Sequence, residues 1–430
     1  MKKLLTTLTA AFYLGTVTFS LCCIGVRQSC ANGIYVDGTG PVSNGRGGTN
    51  IAHSDNGTVI HDNPSALAAL KGKRLEACFD FLVLPMSYRD PQNDEDGKNR
   101  LLLLPSFSYS QKMPQRPFGI GFGVYTSAGF STEYRLVHPA YGKQKYASDA
   151  SMTKMLLGVG WQMTNQWSLG LGAGPAYSRV AFEEPYTFQT GIFREQSVLV
   201  DMKGDDWALA WNLGVQWHIV DSTTLGLAYV NQDRFHLRGD ADIQGLPLSD
   251  PTAHYQAAYD FKWPQTLGLG ITHRFNTIHK ISTDVMWIDW SSAFDELTIK
   301  LTDGDNAELN AVAGNSVQDV FPLHWKDSYA FRLGYEYLWT PVDTLRLGYA
   351  YNLNPVPDST LTPMIPGIMT HLVSFGYGHT WDKWAFNAAY IYSFGPRQSV
   401  GNSKIIGDDY DQSSTRISAH FLSVGAQYQF

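Results

Sequence analysis

Residues able to do chemistry are sparse in this 430-residue chain, and none has the spacing that catalysis needs. No Gly-x-Ser-x-Gly elbow, His-Glu-x-x-His or Cys-x-x-Cys occurs, and the twelve histidines are scattered without a metal-ligand pattern. Gly119-x-Gly121-x-Gly123 has the look of a phosphate loop but opens no helix, so it reads as strand packing. The sequence therefore assigns no catalytic residue, no metal and no cofactor, and does not read as an enzyme. What remains is charge among small residues. Arg332 and Arg346 alternate with Gly and Ala in neighbouring runs, with Glu336 close by. Such cations face the inside of something, where they either form a structural ion-pair ladder or meet the carboxylate of a ligand.

The elements that must position them alternate with a period of two. In Lys326–Thr340, Tyr329, Phe331, Leu333, Tyr335, Tyr337 and Trp339 share one face and Ala330, Arg332, Gly334 and Glu336 the other. The pattern recurs with Phe118, Ile120, Phe122 and Val124, with Trp207 through Trp217, with Leu267, Leu269 and Ile271, and with Leu345, Leu347, Tyr349 and Tyr351. A soluble sandwich also alternates, but it carries charge on its exposed face. Here the second face is mostly Gly, Ala, Ser and Asn, which suits the inner wall of a barrel whose apolar face meets lipid.

Composition agrees with this reading. Aromatics reach 13%, with 40 Gly, and no run long enough for a membrane helix follows the N-terminus. Residues 1–31 read as a secretory signal: Lys2 and Lys3, an apolar Leu4–Val26, then Ser29-Cys30-Ala31 as the cleavage site. A lipoprotein signal is the alternative, with poor residues before Cys22 and Cys30. Cleavage leaves Cys78 alone, so no internal disulfide forms. Losing Lys2, Lys3 and Arg27 moves the net charge from −7 to −10, which argues against a nucleic-acid partner.

Links between runs divide by length. Short ones fall near Met113–Arg116, Thr164–Gln166, Val220–Ser222, Asn276–Ile278, Pro341–Val342 and Asp382–Lys383. Long ones fall near Asp90–Asn99, Ser131–Tyr146, Glu183–Asp206, Gly239–Phe261, Thr302–Pro322, Asn354–Met369 and Pro396–Ser414. Six short and seven long links predict a fourteen-stranded antiparallel transmembrane barrel with both termini periplasmic. Leu422, Val424, Ala426, Tyr428 and a terminal Phe430 on one face resemble the signal read by the outer-membrane assembly machinery. The one long stretch that is not strand-like is Asn32–Leu70. Within Asp62–Gly72 a short helix is expected, with Asn63 as cap, Pro64 in the first turn and Gly72 at its end, the alternative being a loose linker.

Five pieces in register resemble the FadL/TodX-type outer-membrane transporters of long-chain fatty acids and hydrocarbons. They are Asn63-Pro64-Ser65-Ala66-Leu67, Asp289-Trp290-Ser291 with Phe294, Trp325-Lys326-Asp327 with Tyr329, Arg346-Leu347-Gly348-Tyr349, and Pro355-Val356-Pro357-Asp358 with Ile365-Pro366. Ser65 stands where that family has alanine.

The resemblance implies a signal peptide over 1–31, an N-terminal hatch over 32–72 lodged inside a barrel over 73–430, and passive uptake of hydrophobic molecules. Long-chain fatty acids are the leading substrate; hydrocarbons, or a closed structural or adhesive barrel, are the alternatives. It implies an outer-membrane monomer surrounded by lipid and lipopolysaccharide. A greasy landing groove would lie on two loops carrying Phe188, Ile192, Phe193, Leu246 and Leu248, unless these form a lid. Arg179 sits where the family places a cation, although simple alternation turns it towards lipid unless a bulge intervenes near Pro175. Asn63 and Pro64 would belong to the gate. Gly129 would mark an inward kink of the third strand, unless it is an ordinary packing glycine.

Overall fold

The structure is a computed structural model that describes residues 34–246, 248–407 and 410–430; the signal segment expected over 1–31 lies outside the described residues. Fourteen antiparallel strands close on themselves. They are β1 (Lys73–Val83 and Met86–Arg89), β2 (Leu102–Lys112), β3 (Phe118–His138), β4 (Gly142–Gln162), β5 (Trp167–Thr187), β6 (Ser197–Val220), β7 (Thr223–Val230 and Asp233–Gln244), β8 (Thr252–Trp263 and Thr266–Arg274), β9 (His279–Ile288 and Glu296–Thr302), β10 (Ser316–Pro322 and Ser328–Leu338), β11 (Asp343–Asn352), β12 (His371–Trp381), β13 (Trp384–Phe394) and β14 (Ser414–Gln429). Closure runs from Arg74↔Gln429 to Val83↔His420, so no edge is left unpaired there.

All six short links are tight turns, as the alternation predicts. Three expected long loops are mostly strand instead: the turns are only 139–141, 188–196 and 245–251. In all three the apolar residues move to the inner face, in β4, β5 and β6 with the facing unchanged and in β7 with a change of facing. In the lower part of β7 the inward residues are even-numbered, and Leu227 stands outward at 44% exposure. After the break at Asn231–Gln232 the inward residues are odd-numbered: Asp233, Phe235 and Leu237 are buried while Arg234, His236 and Arg238 are exposed. The same inversion occurs in β8 across 264–265, in β9 across 289–295 and in β10 across 323–327.

Below this level the apolar residues face out, as lipid requires. Above it they face in, and the outer face is charged. A strand with charged outer residues no longer carries the lipid-facing signature, so sequence reading mistakes it for loop.

Residues 34–70 lie mostly buried against the small-residue face of the lower strands. α1 (Gly40–Gly45) and α2 (Val59–Asp62) are short, and a 3-10 turn follows at Pro64–Ala68. The helix expected over Asp62–Gly72 is thus only this turn. Asn63 is extended at φ −158° and interrupts it, while its side chain accepts from Ser65 N as the expected cap. The Asn63 amide also donates to Ile51 O at 2.7 Å and Val215 O at 3.2 Å. A Cβ at Gly170 would overlap the Ser65 backbone, so the wall residue there must lack a side chain for the segment to approach.

Candidate functional site: an apolar basin above a filled lumen

The inverted upper parts of β9 and β10, with the even-numbered inward residues of β5 and β6, build an apolar basin at the loop end. A cavity partly open to solvent is lined there by Phe182, Tyr186 and Phe188 of β5 and its loop, Val200 and Met202 of β6, Leu297, Ile299 and Leu301 of β9, and Val317 and Phe321 of β10. The 353–370 loop folds over it, supplying Met364 and Ile365, and Met364 O accepts from the Ser148 and Thr132 hydroxyls. Its ionisable wall residues are acidic or phenolic. Asp319 accepts from Tyr186 Oη (2.6 Å), Gln189 N (2.9 Å) and Thr190 N (2.7 Å), and Glu184 accepts from Tyr410 Oη at 3.1 Å. Burial, then the neighbouring Asp319 carboxylate, pushes the Tyr186 phenol well up, so it stays a donor.

An aromatic shelf lies below, at the level of the strand breaks. Trp290 begins α3 (Trp290–Ala293), whose N-terminus is capped by Asp289 accepting from Ser292 N. Its ring centroid lies 5.0 Å from Trp325 and 5.1 Å from Phe294, and Tyr35 joins it at 5.7 Å. Tyr35 Oη donates to Pro264 O at 3.0 Å. Trp290, Phe294 and Trp325 belong to two family-like motifs, and packing explains their types: large rings fill the barrel where strand pairing is interrupted.

A second cavity lies between the 34–70 segment and the wall, touching Tyr35, Asp37, His61, Lys154, Met286 and Arg332 among others. Close to it the wall itself is broken. β2 and β3 pair only from Lys112↔Gly119 to Phe107↔Val124, after which β3 pairs with β4 alone. Continued pairing would set Pro105 opposite Thr126, and proline has no N–H to give. The register of β3 shifts between Thr126 and Ala128. Its inner side is taken up by the N-terminal segment: Gly129 N donates to Ile34 O (3.1 Å) and Val36 N to Ser127 O (3.5 Å).

Sequence-derived residues fall into place unevenly. Phe188 lines the basin and Phe193 packs on it with ring centroids 5.7 Å apart, but Ile192 is 69% exposed. Leu246 is buried and Leu248 half-buried in the adjoining core, outside the basin wall. The irregularity of β3 falls at Ser127, not at Gly129, which sits in regular pairing with Ser151. No register shift occurs in β5 near Pro175, so Arg179 faces outward and is exposed, as plain alternation dictates.

Arg332 and Arg346 do point into the lumen, where each already has a carboxylate. Arg332 pairs with Asp37 at 3.4 Å and Arg346 with Glu336 at 3.0 Å. Glu336 also binds Lys280 and Arg46, and Arg46 binds Asp55 at 2.9 Å. His53, Asp55 and Glu336 have a metal-like arrangement, but Arg46 and Lys280 fill it, making it the hub that ties the inner segment to β9, β10 and β11. The sequence reading missed Arg46, Lys280 and Asp55. It also missed most of the basin wall, although strict alternation in Glu296–Thr302 was a signal that could have found part of it.

The model of the family described as outer membrane protein transport protein (OMPP1/FadL/TodX) matches residues 22–430. The chain belongs to that family. A long-chain fatty acid transport protein of Escherichia coli O6:H1 is 24% identical over 283 residues, which are 58% of this chain and 60% of that protein's length. The fold is shared with the crystal structure of a Pseudomonas aeruginosa FadL homologue (18% identity, TM-score 0.77, covering 93% of this chain and 100% of that one). It is shared equally with the Pseudomonas putida toluene transporter TodX (16% identity, TM-score 0.75, 93% and 100%). Membership in this family fixes the outward apolar surface of the lower strands as the face that meets outer-membrane lipid.

Proposed function

We propose that this member of the OMPP1/FadL/TodX family carries out passive uptake of hydrophobic molecules across the outer membrane. The observation that carries the reading is the basin, walled by apolar side chains at the end where the outer face becomes charged. A ligand burying about 300 Å² of apolar surface there gains roughly 7 kcal/mol before association costs, enough for capture but weak enough for release. From the basin it passes the aromatic shelf into the second cavity and leaves sideways where β3 parts from β2. The 34–70 segment acts as the hatch whose movement opens that route, with Asn63 and Pro64 in its wall-bound turn. The loop end faces outward and both termini the periplasm.

Two of the three named relatives are described as transporters of long-chain fatty acid and of toluene, molecules that share an apolar body and differ in the head. Binding of radiolabelled fatty acids, alkanes and aromatics to purified protein in detergent tests the reading. Saturable binding of at least one class is expected. Binding of none would leave a closed structural barrel.

A further inference from the structure

The most deeply buried ion pair on the described cavity walls belongs to neither the hub nor the basin. Lys154 lines the second cavity, and its Nζ lies 2.6 Å from Asp233 Oδ2, with the two side chains 2% and 0% exposed. Lys154 is inward by plain alternation on β4, level with Ala176 of β5. Asp233 is inward only because β7 changes facing at Asn231–Gln232; without that break it would point out with Leu227. The fold therefore spends a strand irregularity on bringing a carboxylate to this ammonium.

We propose that Asp233 is a specificity determinant: by holding Lys154 in a buried pair, it denies ionised head groups a cation, so neutral hydrophobic molecules pass in preference to fatty-acid anions. The inference rests on the uptake reading above and names its substrate class.

The surrounding charges point the same way. Arg332, the other cation of that cavity, is held by Asp37, and Asp62 is paired with His61. The basin above offers Glu184 and Asp319 and no Lys or Arg on its wall. A carboxylate entering this path loses its hydration, meets like charge, and finds each described cation of the lower cavity already neutralised. An ester, alkane or aromatic ring incurs none of these penalties.

Equilibrium binding of laurate and methyl laurate to the purified full chain at pH 8, where the acid is ionised, tests this. The ester is expected to bind at least tenfold more tightly than the acid. Asp233→Asn leaves Lys154 without its carboxylate and should raise laurate affinity about tenfold with little change for the ester. Unchanged laurate affinity in Asp233→Asn would overturn the role of Asp233. Should that variant fail to fold, Asp233→Ser, which also leaves Lys154 without its carboxylate, is expected to raise laurate affinity likewise, and an unchanged affinity there would overturn it. Laurate binding as tightly as its ester to the wild type would overturn the selectivity and leave the uptake reading standing. Binding of neither would remove the uptake reading and the selectivity with it.

Discussion

His61 Nε2 lies 3.0 Å from Ser127 Oγ, so the inner segment holds the one irregular residue of β3 by a side-chain hydrogen bond. His61 Nδ1 is 2.7 Å from Asp62 Oδ1, and Asp62 in turn accepts from Asn50. With the Nδ1–H given to Asp62, Nε2 is the acceptor and Ser127 the donor. The inner segment and the wall are thereby held together where β3 parts from β2.

Ser127→Ala removes the latch without changing the bulge. One hydrogen bond contributes about 1 kcal/mol, which corresponds to roughly fivefold in the opened population. Amide exchange at Val36 and Gly129, whose N–H groups donate across this contact to Ser127 O and Ile34 O, should quicken by about that factor. Unchanged exchange at these amides would show that His61 and Ser127 do not restrain the segment.

Ile299→Glu places a carboxylate in the basin, on a residue 8% exposed and outside the lipid-facing section. Leaving it ionised there costs several kcal/mol on ligand binding, so hydrophobic ligands should bind at least tenfold more weakly while the thermal stability of the barrel holds. Ile192→Ala, at an exposed loop position, should leave affinity unchanged. If Ile192→Ala weakens binding as much as Ile299→Glu, the landing site lies on the loop after all.

Glu336→Gln leaves Arg46, Lys280 and Arg346 short of a shared carboxylate in the lumen. Breaking a buried pair of this kind costs about 3–5 kcal/mol. The inner segment should loosen, and ion conductance in planar bilayers should rise above that of the wild type. Wild-type conductance would mean that other contacts suffice to seat it.

The lower barrel is legible in the sequence because lipid enforces one rule on every outward residue: Phe331 and Leu333 had to be apolar, and Arg332, Gly334 and Glu336 had to face in. Above the lipid the rule reverses. Asp233–Gln244 alternates as strictly, yet its outward Arg234, His236 and Arg238 removed the cue that marks a membrane strand. Local irregularities were less legible still. Nothing in the run around Gly129 singles out Ser127, because the bulge follows from the missing donor at Pro105 on another strand and from pairing with Ile34–Val36. Arg332 and Arg346 were correctly read as inward, but their partners Asp37 and Arg46's hub lie nearly 300 residues away in sequence and are joined only by closure.

Entry through the loop-end basin and exit past the break between β2 and β3 is tested most directly by uptake of a radiolabelled neutral hydrocarbon. Cells carrying the wild-type chain, cells carrying Ile299→Glu and cells without the protein would be compared. Saturable uptake by the wild type at several times the rate of protein-free cells, falling close to that background in Ile299→Glu, is predicted. Equal uptake with and without the protein, or a variant as fast as the wild type, would contradict it.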